Sequence, residues 1–243
     1  CYNKIEIYNR RLKMKSINKQ LKRHIKENII PAYKSANKAH SVEHIKNVIE
    51  HALMLAEELH LNLDIIYTAA AYHDIGILGW GCSDNKASHK HLRKYHHIYS
   101  ARAVMESNAL REFFNINKLK IISDACLDHR ASNPNQPSSI FGKVIADADR
   151  LDGFELDVLF QRCLDYENFK YPNKEIDEIK DDIFAHISDK YSFDGYAFDS
   201  LYLKITKMKF EEEIKRVKEV SRSRPLFERE FAKWLKDKSF KFS

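Results

Sequence analysis

The 243-residue chain has little glycine and proline, six and five residues in all. Sandwiches and barrels need frequent turn residues, so this scarcity excludes them and leaves helices joined by short connections. No apolar run approaches the roughly 18 residues that a membrane span requires. Only four cysteines occur, Cys1, Cys82, Cys126 and Cys163, far apart and without a CxxC pair. That spacing excludes a disulfide framework and a cysteine-built zinc site, and reduced thiols in a cytoplasmic protein are the simpler expectation. The basic N-terminus lacks the apolar core of an export signal. Basic residues interleaved with aromatics are missing too, so a dedicated nucleic-acid binder is not expected despite a net charge of +6.

What the chain has is 44% hydrophobic residues, with 14 Phe and 12 Tyr, enough for a sizeable core. Residues 1–13 carry no apolar periodicity, and we read them as a tail before Met14. Ile17, Leu21, Ile25 and Ile29 repeat at helical spacing up to Pro31. Ser41 is a good N-cap for a helix carrying Ile45, Val48, Ile49, Ala52, Leu55 and Ala56 on one face. Asn62 or Asp64 opens the next helix, which runs to His73. Residues 79–95 read as a polar loop, with Trp80, Lys86, His89 and Lys90 available to a substrate mouth. Helices follow at 97–108, 117–129 and 139–152, with Pro134 and Pro137 in the loop before the last. After Tyr166 charge density rises, Asn168–Asn173 reads as a connector, and helices resume at Glu175–Ile187, Ala197–Val220 and from Pro225. The expected organisation is therefore all-α, a helical bundle over 14–166 with a helical extension over 167–243.

The chemistry concentrates in histidines and aspartates. His73-Asp74-Ile75-Gly76 ends the apolar run Ala69-Ala70-Ala71-Tyr72. His44 lies upstream, and Asp149 lies downstream inside Asp147-Ala148-Asp149-Arg150-Leu151-Asp152. Helix neighbours recur at three, four and seven residues. On that rule His44, His73, His97 and His129 each continue the apolar stripe of their own helix, whereas His96 falls with Ser100 and Ala103 on a less apolar, exposed face. Asp149 and Asp152 lie by the inward stripe of their helix. Asp147 sits about 160° from Asp149, so the two do not share an ion. One buried histidine is ordinary, but several buried imidazoles and carboxylates are costly unless a cation gathers them. Such a mixed nitrogen and oxygen set suits Mn, Mg, Fe, Co, Ni or Zn and can make hydroxide near neutral pH.

His44, then His73-Asp74, then Asp149 resembles the H…HD…D signature of the HD-domain superfamily of metal-dependent phosphohydrolases. His40-Ser41-Val42-Glu43-His44-Ile45 is similar to its opening segment and Ala148-Asp149-Arg150-Leu151 to its closing one. Residues 147–152 match a small bacterial branch that closes on Asp-Ala-Asp-Arg-Leu-Asp. The resemblance spans roughly residues 20–165. It implies an all-helical fold, a divalent metal held by His44, His73, Asp74 and Asp149, and a small phosphate ester, a nucleotide above all, as substrate. Asp74 would also steer the attacking water. His97 and His129 would contact phosphate or complete a second site, with one catalytic ion the leading expectation. Asp152 would support a ligand from behind. Arg150 reads as either a phosphate contact or a structural residue. The alternative function is a non-catalytic regulatory module that binds metal or nucleotide. Neither a membrane nor a nucleic acid is expected as partner, and both monomer and homodimer remain open.

Overall fold

The computed structural model describes residues 16–36, 40–84, 87–130, 137–191 and 201–239. Residues 1–13, Met14, Lys86, Pro134 and the start of the helix expected from Ala197 lie outside them. The described residues contain no strand, and the fold is all-α. In chain order the helices are α1 (Lys19–His24), α2 (Val42–Glu58), α3 (Leu63–Tyr72), α4 (His89–Glu106), α5 (Asn108–Arg111), α6 (Ile116–Asp128), α7 (Ile140–Leu151), α8 (Leu156–Lys170), α9 (Ile176–Tyr191), α10 (Lys204–Lys209), α11 (Glu211–Arg222) and α12 (Arg224–Ser239). No described helix is long and apolar enough to cross a membrane.

Side-chain caps set the helix starts. Ser41 Oγ accepts from the His44 amide, and Asn62 Oδ1 accepts from that of Ile65. Helix α3 is apolar on every side, and all of Ile65–Tyr72 is buried. It is the central element, packed against α2, α6 and α7. Its small Ala69-Ala70-Ala71 run suits that crowding. Pro31 does not end the first segment. The chain passes from α1 through a π turn at Ile25–Ile29 into a 3-10 helix at Ile30–Ser35. Pro31 sits in the first turn of that helix, where no N–H is needed.

Two apolar clusters divide the molecule. The first joins α1–α7 through residues such as Leu21, Ile45, Leu55, Ile66, Ile122 and Ile145. The second joins α8, α9, α11 and α12 through Phe154, Phe160, Ile183, Val217, Phe227 and Trp234. Helix α8 therefore packs with the C-terminal helices, and the two apolar clusters meet at Asp152–Phe154. The connector expected at Asn168 begins only after Lys170. Phe210 packs on both clusters and breaks the expected 197–220 helix into α10 and α11. Asp147 ties the segments together. Its carboxylate accepts from the Tyr202 amide at 2.7 Å, the Leu203 amide at 2.9 Å and Thr206 Oγ1 at 2.6 Å.

The loop expected over 79–95 is shorter than its polarity suggests, because α4 starts at His89, capped by Ser88. Helix α4 meets the 3-10 turn Ile75–Leu78 backbone to backbone. A Cβ on Gly76 would come within 2.2 Å of the His96 carbonyl oxygen, and one on Gly81 within 2.2 Å of that of Tyr99. Only glycine permits this approach. The Gly76 amide donates to Ser100 Oγ at 2.9 Å. Helix α4 consequently buries His96, Ser100 and Ala103 on its small, polar side, beside Ala101 and Val104 of its apolar stripe.

Candidate metal centre

Five elements bring their polar residues to one point between α2, α3 and α7. His44 comes from the first turn of α2, His73 and Asp74 from the end of α3, and Asp149 from α7. His44 Nε2 lies 3.4 Å from Asp74 Oδ2 and 3.5 Å from Asp149 Oδ1. His73 Nε2 lies 3.2 Å from Asp74 Oδ2 and 4.0 Å from Asp149 Oδ1. On the other side of Asp74, Oδ1 is 3.2 Å from His96 Nε2 and 3.3 Å from His129 Nε2. One carboxylate thus separates two pairs of imidazoles.

Each imidazole is oriented through its other nitrogen. Nδ1 donates to the carbonyl three residues back in His73 (Ala70, 2.8 Å), His96 (Arg93, 2.9 Å) and His129 (Cys126, 2.6 Å). His44 Nδ1 donates to Asp152 Oδ2 at 2.7 Å. Four Nε2 atoms are thereby presented inward, the arrangement that metal-binding histidines adopt. Asp152 is wholly buried and is itself held by Asn47 Nδ2 at 2.8 Å and Arg162 Nη2 at 2.7 Å.

The charges follow from these contacts. Burial opposes ionisation of Asp74, but His73, His40, His129 and His44 outweigh it and hold the carboxyl well below the usual range. Burial likewise opposes charge on His44, yet its bonds to Asp152 and Asp74 raise it to about 9. Asp149 is lowered against its burial by His44 and His73. His40, 3.9 Å from Asp74 Oδ2, is pushed down to about 3 by burial.

The donor set fits a divalent cation. His73 Nε2 is buried and accepts no hydrogen bond. His44, His73 and Asp149 present ligand atoms within 4.8 Å of one another, and so do His73, Asp74 and His129. His96 Nε2 and His129 Nε2 stand 3.2 Å apart. With their protons on Nδ1, those two lone pairs repel unless a proton or cation lies between them.

His44, His73, Asp74, Asp149 and His129 are therefore brought together, with Asp152 behind His44. His97 is not among them. It is half-buried behind His96, their ring centroids 5.7 Å apart, and burial pushes it down to about 4. His96 takes the inward place because α4 turns its small face to the Gly76 turn. Arg150 is buried and donates to the carbonyl of His129 at 3.2 Å, fixing the end of α6 rather than facing the site. Reading apolar stripes also missed His40, Asn47 and Arg162. Asn47 sits one turn after His44, on its side of α2, which is a weak signal, and Arg162 has none because α8 is amphipathic only weakly.

A cleft of about 1140 Å³ opens from this centre between the two clusters. Its inner wall includes His44, Asp74, His96, His129 and Asp149, and its outer walls include Arg93, Arg130, Arg162, Lys170 and Lys190. His89 of the expected mouth also lines it, whereas Trp80 does not.

Residues 41–153 match the HD domain family. No curated protein matches the chain. A solved structure of a predicted HD superfamily hydrolase from an uncultured Thermotogales bacterium is 28% identical, with 54% of this chain and 68% of that one covered and a TM-score of 0.42. Bacillus subtilis YpgQ, solved in complex with ADP, is 18% identical, with 90% of this chain and 95% of that one covered and a TM-score of 0.51. The family match ends where the first apolar cluster gives way to the second, and it encloses every buried imidazole and carboxylate at the centre except His40. The chain is thus similar to the HD domain family across residues 41–153, the part that holds the candidate metal centre.

Proposed function

We propose that the chain hydrolyses phosphoester or phosphoanhydride bonds of nucleotides, using a divalent cation held by His44, His73, Asp74 and Asp149. The observation that carries this reading is the convergence of these four side chains, with His44, Asp74 and Asp149 on the inner wall of a cleft that Arg93, Arg130, Arg162 and Lys190 also line. A bound cation would supply Lewis acidity and a water acidic enough to ionise near neutral pH. The chain's own residues do the rest. Asp152, Asn47 and Arg162 fix the ring of His44. The Asp74 carboxylate, ionised at neutral pH, is placed to accept a proton from a water at the centre. Arg93, Arg130 and Lys190 on the cleft walls offer positive charge to phosphate oxygens. The ADP held by the B. subtilis protein of similar fold supports a nucleotide as ligand class.

A second cation position is favoured by one specific observation. His96, His129 and Asp74 Oδ1 face one another at 3.2–3.3 Å with no other partner for the two Nε2 lone pairs than each other and that carboxylate. His129 then serves as a ligand, and His96 replaces His97 beside it.

The test is elemental analysis of purified protein together with turnover of nucleoside mono-, di- and triphosphates and of p-nitrophenyl phosphate, with and without EDTA. We expect one or two equivalents of a transition metal or magnesium, and activity that EDTA removes and metal restores. Turnover indifferent to chelation would sink the reading. Metal and nucleotide binding without turnover would point to the regulatory alternative.

A further inference from the structure

Helix α8 carries a polar group that the metal centre leaves unused. Glu167 is 3% exposed, yet it lines the cleft. Its Oε2 is buried and accepts no hydrogen bond. Lys170 Nζ stands 3.6 Å from Oε2 on a half-exposed side chain, and His186 Nδ1 stands 3.5 Å from Oε1. The ion pair to Lys170 is too long to be a hydrogen bond, so an O–H donor entering the cleft would satisfy Oε2 at a favourable free energy. A metal ion is not the natural occupant. Among the described residues, the groups of three or more that could ligate one all lie at His73.

The neighbours of Glu167 indicate the class of ligand. Tyr166 and Phe169 line the same cleft and are 43% and 88% exposed. Tyr166 rests edge-on against His186, ring centroids 4.8 Å apart. Arg162 marks the metal end of α8 by its bond to Asp152. At helical rise, Tyr166 follows about 6 Å further along the axis and Phe169 about 10 Å. The helix therefore presents in order a guanidinium beside the metal centre, a phenol, a buried carboxylate and a phenyl ring. Resting on the phosphohydrolase reading for where the phosphate sits, we propose that Glu167 accepts the sugar hydroxyls of a ribonucleoside phosphate, with Tyr166 and Phe169 as the surface on which its base stacks. A carboxylate is a natural acceptor for ribose hydroxyls, and exposed aromatic rings are natural platforms for bases.

The test compares adenosine, 2′-deoxyadenosine and 2′,3′-dideoxyadenosine 5′-monophosphates as substrates for the metal-loaded wild type and for Glu167→Gln, with p-nitrophenyl phosphate as control. The wild type should prefer the ribonucleotide over the dideoxy analogue by about tenfold or more. Glu167→Gln should lower kcat/KM for the ribonucleotide about tenfold to a hundredfold, through KM, and erase the preference. It should leave p-nitrophenyl phosphate turnover unchanged. No preference in the wild type, or one that survives in Glu167→Gln, would overturn the proposal. Should none of the esters be cleaved, the phosphohydrolase reading fails, and calorimetric titration of the free nucleosides decides the subsite separately. Tenfold weaker adenosine binding in Glu167→Gln keeps it, and equal binding, or none in the wild type, discards it.

Discussion

The two apolar clusters handle buried polarity in opposite ways. In the first, the inward-facing imidazoles of His44, His73, His96 and His129 surround Asp74, and each one's second nitrogen is bonded to a carbonyl or to Asp152. In the second, the interior is a stack of rings, Phe160, Phe227, Phe231 and Trp234, with centroids 5.2–6.0 Å apart. Arg162, Glu167 and Lys190 of this part line the cleft. The contrast teaches where function and stability are coupled. In the first cluster the charged groups compensate one another, so removing one leaves others uncompensated in a dry place. In the C-terminal part an exposed charge can be altered with little effect on the packing beneath it.

The largest effect that would sharpen this contrast is loss of the shared carboxylate. Asp74→Ala should bring turnover to below about one thousandth of wild type and release the metal, while helical circular dichroism is retained. His73→Ala should behave alike. Retained turnover in both would place the chemistry elsewhere. Next comes Arg162, which reaches from α8 to Asp152 behind His44. Arg162→Gln should weaken metal affinity about tenfold to a hundredfold, read by metal titration, with Arg162→Lys recovering part of it. An unchanged affinity would mean that His44 needs no support across the seam.

A smaller effect distinguishes adjacent histidines. His96→Ala should lower bound metal and turnover, whereas His97→Ala should stay within about twofold of wild type. The reverse ranking would overturn the assignment of the inward face of α4. Removing the clamp should touch stability more than chemistry. Asp147→Ala should cost about 2–3 kcal/mol by urea denaturation, because two amides and a hydroxyl lose their acceptor, with activity per folded molecule kept.

The weakest effect is on pH dependence across the seam in metal-free protein. Asp152 is held low against its burial by His44 and Arg162, so its contribution to stability is present above about pH 4 and lost as pH falls further. His44 is held high, so its contribution is complete below about pH 6.5 and lost as pH rises through about 9. Denaturation midpoints should therefore decline on both sides of that window, and Asp152→Asn should flatten both slopes.

Much of this was legible in the chain itself. The helices around the centre follow from apolar period and capping residues, and Ser41 and Asn62 cap as their types require. The inward direction of His44, His73 and His129 follows from their place on apolar stripes. The same rule misplaced His96 and His97: Ala101 and Val104 are buried as it expects, but so is the small, polar side with Ser100 and Ala103, which it takes for exposed. Where a helix packs on another backbone, the buried face must instead be small, and Ser100 and Ala103 lie against Gly76 and Gly81 for that reason.

The sequence by itself determined an all-helical chain whose scarce turn residues and spaced histidines and aspartates can gather around a cation, since helical period is a local property. Only the tertiary structure decided that Arg162 meets Asp152, that Asp147 clamps the Tyr202–Thr206 segment, and that α8 stands with the C-terminal cluster as a wall of the cleft. These contacts join residues from ten to more than fifty positions apart. No local pattern encodes such pairings, because they arise only when two separately formed apolar faces pack and bring their edges together.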